Sequence, residues 1–157
     1  MILLKRIFLF SLIIFIIDQI VKLLIGFSIN LNDSVSIISG FFNISYVHNY
    51  GAAFSILYGN RVFLILISVF TLIFIYYFLL KNKKFSRFDI FIYSFLIGGI
   101  LGNLFDRIVY GYVIDYLDFN IFGYDFPIFN IADISIVLSI FMIIIDIIRG
   151  GKGENIS

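Results

Sequence analysis

Two carboxylates in this sequence have the surroundings that chemistry at a peptide bond requires. Asp115 follows Gly-Tyr-Val-Ile and stands between Ile114 and Tyr116, while Asp133 follows Asn130 by three residues at the start of an apolar stretch. A carboxylate among such neighbours is poorly solvated, and the loop between the two can bring them together. Two adjacent carboxylates at low dielectric cannot both ionise, so they share one proton. The charged one can then deprotonate a water while the neutral one protonates a carbonyl oxygen, the chemistry of an aspartic protease. Other chemistries lack their residues. With one histidine and no cysteine, zinc and thiolate sites are disfavoured and a disulfide framework is excluded. His48 with Ser55 has no nucleophile-elbow motif around it, and no phosphate-binding glycine motif occurs.

The elements that must position these acids are membrane spans. The chain of 157 residues is 62% hydrophobic and 13% charged, with a mean hydropathy of +1.11, where soluble domains run near 25% charged. A net charge of +1 gives no footing for nucleic acid. Spans need ~20 mostly apolar residues, and four are expected, at about residues 7–27, 62–80, 89–106 and 131–148. They predict an all-α membrane protein, a four-helix bundle forming one domain over residues 1–157. Eight of the eleven basic residues (Lys5, Arg6, Lys81, Lys83, Lys84, Arg87, Arg149 and Lys152) flank one side, against Arg61 and Arg107 on the other. Both termini are therefore expected in the cytoplasm, with residues 28–61 and 107–130 outside. Lys5-Arg6 before an apolar stretch has the look of a signal peptide, but no small-residue cleavage site follows, so an uncleaved first span is expected. In residues 41–47, Phe42, Ile44 and Tyr46 alternate with Asn43, Ser45 and Val47, a weak signal for a strand in a small sheet over the bundle. The tail from Gly150 to Ser157 has the composition of a disordered segment.

Ionisable groups inside a span default to function. At ~1.5 Å per residue from the cytoplasmic ends, Asp18 stands ~17 Å up the first helix, Asn103 ~21 Å up the third and Asp133 ~22 Å up the fourth. The polar groups thus converge near the outer boundary, with Asp106, Arg107 and Asp115 just beyond. Each also has a structural reading. Asp18 and Lys22 form an i,i+4 pair in the favoured order; Asn130 and Asp133 fit an N-cap and its N3 residue; Asp106-Arg107 fits an ion pair closing the third helix. Gly98 and Gly102 have the spacing of close helix packing. His48, Asp118 and Asp125 read as solvated loop side chains, and residues 81–87 as a cytoplasmic anchor.

Five blocks in order resemble one family, the lipoprotein signal peptidases, or signal peptidase II. Asp18-Gln19-Ile20-Val21-Lys22 matches D-Q-x-x-K, and Val47 to Ser55 matches V-x-N-x-G-A-A-F-S. Gly98 to Arg107 matches G-G-x-x-G-N-x-x-D-R, Gly111 to Tyr116 matches G-x-V-x-D-F with Tyr for Phe, and Phe126 to Asp133 matches F-P-x-F-N-x-A-D. The resemblance implies a bacterial membrane aspartic endopeptidase that cleaves the signal peptide from prolipoproteins just before a diacylglyceryl-modified cysteine, and a four-helix bundle with an extracytoplasmic β-cradle. It implies Asp115 and Asp133 as the catalytic pair. Asn49, Gly51, Asn103, Arg107 and Asn130 would line the site, and Asp18, Lys22 and Asp106 would support it. No metal or cofactor is expected, the partners are lipidated precursors and membrane lipid, and a monomer is expected. The rival class is a small transport or channel subunit with a buried acidic relay. It accounts for Asp18 and Asp133 but gives no reason for Asp115 or the Asn49-Gly51 loop.

Overall fold

The computed structural model describes residues 2–52, 56–80 and 86–148. Ala53 to Ser55, the basic positions Lys81, Lys83 and Lys84, Arg149, and the tail after it lie outside the described residues.

Among the described residues four helices and four strands follow one another in the order α1 (Ile2–Ser28), β1 (Ser34–Ile38), β2 (Phe42–Asn49), α2 (Arg61–Phe74), α3 (Arg87–Val109), β3 (Val113–Ile121), β4 (Tyr124–Asp125) and α4 (Ile131–Ile148). α2 runs on as a π-helical turn over Ile75–Leu80. α1, α3 and α4 are long and apolar enough to cross a membrane, while the apolar helix Arg61–Tyr77 is shorter. The strands form one antiparallel sheet in the order β1-β2-β3-β4. The expectation of an all-α chain is thus too narrow. The pattern at residues 41–47 marks one strand, and three further strands, β1, β3 and β4, join it in the sheet.

α3 lies at the centre. It starts with a reciprocal cap, in which Ser86 Oγ accepts from the Asp89 N–H at 3.0 Å and Asp89 Oδ2 accepts from the Ser86 N–H at 2.9 Å. Its glycines set the helix spacing. A Cβ on Gly98 would stand 2.8 Å from the Ser11 carbonyl of α1, and one on Gly99 would stand 2.5 Å from the Ala132 carbonyl of α4. Helices pack in lipid chiefly through such close approaches, because burying apolar side chains gains little against apolar solvent. Accordingly α1, α2 and α4 turn large side chains such as Phe8, Phe70 and Phe141 outward. The apolar core (Ile7, Ile75, Ile90, Tyr93 and Leu96 among others) fills the end of the bundle away from the sheet.

One irregularity in the sheet decides what faces the bundle. Paired residues share a face, and the β2–β3 register runs Ile44↔Leu117 and then Val47↔Asp115, with a bulge between. A bulge inserts one residue and so reverses the alternation beyond it. Without it, Tyr46 and His48 would share the face of Asp115. With it, Val47 and Asn49 do.

Candidate active site

The site forms where the N-terminus of α4 meets β3 and the sheet-side ends of α1 and α3. A helix start leaves its first four N–H groups without intrahelical acceptors, and here each finds one. The Asn130 N–H donates to Asp133 Oδ2 at 3.1 Å and the Asp133 N–H to Asn130 Oδ1 at 2.9 Å, a reciprocal cap. The Ile131 N–H donates to Tyr116 Oη at 3.2 Å, and the Ala132 N–H to Asp18 Oδ1 at 3.0 Å. The capping reading of Asn130 and Asp133 is therefore right as far as it goes, but both side chains do more.

Asn130 Nδ2 donates to Asp115 Oδ1 at 2.7 Å, while Asn49 Nδ2 donates to Asp115 Oδ2 at 2.8 Å. Asn103 Nδ2 donates to Asp133 Oδ1 at 2.7 Å. Asp115 is 2% exposed, and loss of hydration pushes its pKa up, with the charge of Asp133 adding to the rise, to about 7. Its amide partners oppose this, since donors favour the charged carboxylate. Both aspartates, with Asn49, Asn103 and Arg107, line a cavity of about 470 Å³. The rest of its wall includes Phe126, Ile134 and Val137, so the polar groups stand at one side of an apolar space.

Beneath this pair lies a fully buried ionic group. Lys22 Nζ is 2.8 Å from both Asp18 Oδ2 and Asp106 Oδ2, with all three side chains at most 1% exposed. The third donor of the ammonium goes to Asn103 Oδ1 at 3.1 Å, which also accepts from Asn130 Nδ2 at 3.2 Å. With its oxygen so occupied, the Asn103 amide must turn its nitrogen toward Asp133. One cation against two anions needs further donors, and Gln19 Nε2 supplies one to Asp106 Oδ1 at 2.8 Å and the Ile114 N–H another to Asp106 Oδ2 at 3.2 Å. Among the described residues no buried side-chain nitrogen or oxygen lacks a partner.

Several expectations change. The Asp18–Lys22 pair exists, but as part of this larger group. Asp106 and Arg107 turn apart: Asp106 faces Lys22, while Arg107 Nη2 donates to the Gly51 carbonyl at 2.9 Å. His48 is not a free solvated side chain. Its ring stacks on Tyr112 at 3.6 Å between centroids, and its Nε2 lies 2.9 Å from Tyr46 Oη. Partial burial holds its pKa below the usual histidine value. Asp118 sits in β3 and accepts from Ser45 Oγ at 2.8 Å, whereas Asp125 is an exposed acid, bonded to Asn120 at 2.6 Å. Gln19 and Tyr116, absent from the expected site set, both reach into it. Gln19 is signalled by its place in the D-Q-x-x-K block, but the hydroxyl of Tyr116 carries no signal in sequence. Among the described residues no group of three His, Cys, Asp or Glu side chains is arranged to hold a metal ion.

Fold and site together define a membrane protein that holds two aspartates side by side beneath an antiparallel sheet, at the end of three apolar helices. Residues 10–149 match the model of the family described as Signal peptidase (SPase) II. The chain is 42% identical over 141 residues to a lipoprotein signal peptidase of Staphylococcus haemolyticus, covering 90% of this chain and 89% of that one. It is 41% identical over 134 residues to a lipoprotein signal peptidase of Staphylococcus aureus, covering 85% and 82%. Two solved bacterial membrane enzymes share the fold. One has a TM-score of 0.86 at 37% identity, over 98% of this chain and 93% of that one; the other has 0.81 at 40%, over 91% and 92%. The chain belongs to the signal peptidase II family, a family of membrane peptidases.

Proposed function

We propose that the chain is an aspartic endopeptidase that hydrolyses the peptide bond just before a diacylglyceryl-modified cysteine in prolipoproteins, with Asp115 and Asp133 as the catalytic pair. The observation that carries the reading is Asn130, whose one side chain bonds to Asp115 at 2.7 Å and caps the helix turn bearing Asp133. It supports a pair held in fixed relation at the edge of an apolar cavity.

In this mechanism one aspartate is charged and the other carries the shared proton. The charged carboxylate takes a proton from a water whose oxygen attacks the scissile carbonyl carbon. The neutral one gives its proton to the carbonyl oxygen, forming a gem-diol. Collapse breaks the C–N bond: the proton taken from water passes to the leaving amine, and one gem-diol hydroxyl returns its proton to the aspartate that had protonated the carbonyl, so the acid product forms and the pair again holds one proton. Asn49, Gly51, Asn103, Arg107 and Asn130 orient the acids and the substrate backbone, and Asp18, Lys22 and Asp106 support them. No step calls for a metal or cofactor.

The same reading places the whole chain in the bacterial cytoplasmic membrane as one domain. It has four spans, α2 with its π-helical turn being the fourth, and both termini are cytoplasmic. The site then stands near the outer leaflet boundary. A signal-peptide helix and a diacylglyceryl chain are both apolar, and their burial in lipid and cavity sets the scissile bond at the height of the pair, so positioning supplies much of the rate. The reading is for a monomer. The test is cleavage by purified enzyme in detergent of a diacylglyceryl-modified precursor and of its unlipidated counterpart. Cleavage of the first alone is expected; equal kcat/KM for both, or cleavage of neither, overturns the assignment.

A further inference from the structure

The two basic residues flanking the spans on the sheet side, Arg61 and Arg107, both donate to backbone carbonyls. The last turn of α3 leaves carbonyls without intrahelical donors. That of Asp106 accepts from the N–H groups of Tyr110 at 2.8 Å and Gly111 at 3.2 Å. Those of Arg107 and Ile108 accept from Arg61 Nε at 2.7 Å and Nη2 at 2.8 Å. A guanidinium fork suits two adjacent carbonyls, and its charge lies at the negative end of the helix dipole. Arg61 Nη1 also lies over Gly111, where φ is +90° and a Cβ would stand 3.3 Å from that nitrogen. One side chain of α2 thus fixes the turn by which α3 passes into β3 and Asp115.

The other end of the same connection is tied to the same residue of α3. Arg107 Nη2 donates to the Gly51 carbonyl at 2.9 Å, the Gly51 N–H donates to Asn49 Oδ1 at 2.8 Å, and Asn49 Nδ2 donates to Asp115 Oδ2 at 2.8 Å. Arg107 is therefore held through its carbonyl by Arg61 while its side chain holds Gly51. We propose that Arg61 is a positioning residue for the reaction: by fixing the carbonyls of Arg107 and Ile108 it keeps Arg107 on Gly51, and through Gly51 and Asn49 it keeps a hydrogen-bond donor on Asp115. The proposal rests on the Asp115–Asp133 reading given above.

An Asn49 amide on Asp115 favours the charged carboxylate. The charges around Asp115 are Asp133 of α4, Lys22 of α1 and Arg107 of α3; changing Arg61 replaces none of them, and an Arg107 loosened from Gly51 would draw its cation off Asp115, which raises the pKa of Asp115 in the same direction as losing the Asn49 donor. Loosening Asn49 therefore moves the upper limb of the activity profile to higher pH, which a purely structural role of Arg61 does not do.

The test uses the full chain in detergent with a diacylglyceryl-modified precursor. For Arg61→Gln, kcat is expected to fall roughly tenfold or more, as for a small misplacement of catalytic groups, with KM changed by less than about twofold. Its upper pH limb should move in the same direction as that of Asn49→Ala. The double variant should be little worse than the poorer single one, because both act on one donor. Arg61→Lys, whose ammonium lacks the fork, should fall between, and it serves by the same criteria if Arg61→Gln does not fold. An unchanged kcat, an unmoved limb, or losses that add with Asn49→Ala overturns the proposal. Asp115→Asn is measured alongside: if it is inactive while Arg61→Gln is normal, the role of Arg61 alone fails, whereas an active Asp115→Asn removes the catalytic pair itself.

Discussion

The side-chain amide of Asn130 donates to Asp115 Oδ1 at 2.7 Å although the two residues belong to different elements, the cap of α4 and the strand β3. Its oxygen meanwhile accepts the Asp133 N–H at 2.9 Å. Capping and donation to Asp115 can be separated. Serine keeps a capping oxygen but does not reach Asp115. Asn130→Ser is therefore expected to keep its melting temperature within a few degrees and to lose about a hundredfold in kcat. Near-native turnover by a folded Asn130→Ser protein would remove Asn130 from the mechanism.

Replacing either aspartate of the pair with asparagine keeps size and polarity but removes the group that accepts or delivers the proton. Asp115→Asn and Asp133→Asn should each abolish single-turnover cleavage, and the double variant should lose nothing further, since the pair acts as a unit. Asp125→Asn, at an exposed position of β4, is the control and should stay active. Asp118→Asn should also cleave, with stability lowered by about 1 kcal/mol through its weakened bond to Ser45.

In the proposed mechanism the pKa of Asp115, raised to about 7 by burial and by Asp133, sets the upper limb of the pH profile. Catalysis needs one proton on the pair, so activity should fall as pH rises through about 7 and the last proton leaves; it should fall again in acid when both are protonated, with macroscopic values belonging to the pair. The linkage sign follows. A carboxyl whose folded pKa is above its unfolded value binds more protons in the folded state, so stability declines as pH rises from about 4 to about 7. Asp115→Asn removes that titration, and its melting temperature should fall less over the same range than that of the parent protein. A steeper fall would contradict the raised value.

Lys22 neutralises Asp18 and Asp106 at 2.8 Å each. Lys22→Met removes the cation and leaves two carboxylates buried, for which about 3–5 kcal/mol of destabilisation is expected. It also removes one of the two donors to Asn103 Oδ1, so kcat should fall even where the protein is folded. Thermal unfolding and single-turnover cleavage report the two effects separately, and an unchanged melting temperature would show that the ionic group is dispensable.

Orientation rests on the eight-to-two split of flanking basic residues. Single cysteines introduced into this cysteine-free chain and exposed to a membrane-impermeant thiol reagent in intact cells should be labelled at position 120 and protected at position 84. The reverse pattern overturns the topology.

The strongly periodic and compositional features were legible in the sequence. The apolar runs mark α1, α3 and α4 because a bilayer demands their length, and α4 starts at Ile131. Asp18, Asn103 and Asp133, counted to a similar level along their helices, do meet across them: Asp18 bonds to the start of α4 and Asn103 to Asp133. A rise per residue is a local property, so counting along each helix suffices. The pairing of Asp106 with Arg107 failed for the complementary reason: adjacency in sequence does not determine which way a side chain turns, and Lys22, 84 positions earlier, takes the carboxylate.

What the sequence by itself determined is therefore which residues lie at one level along the helices and which types they are. Only the tertiary structure decided which of them touch. Alternation from Ile44 assigns His48 to the inner face of β2, and the bulge between Ile44 and Val47 gives that face to Asn49, which donates to Asp115 from β2. His48 turns instead onto Tyr112. A bulge is a property of two strands in register, set by how β2 fits β3. Likewise the four N–H groups at the start of α4 find acceptors from Asp133 and Asn130 nearby, but also from Tyr116 of β3 and Asp18 of α1. Local propensity can call for a cap there; only packing of three separate segments can supply it.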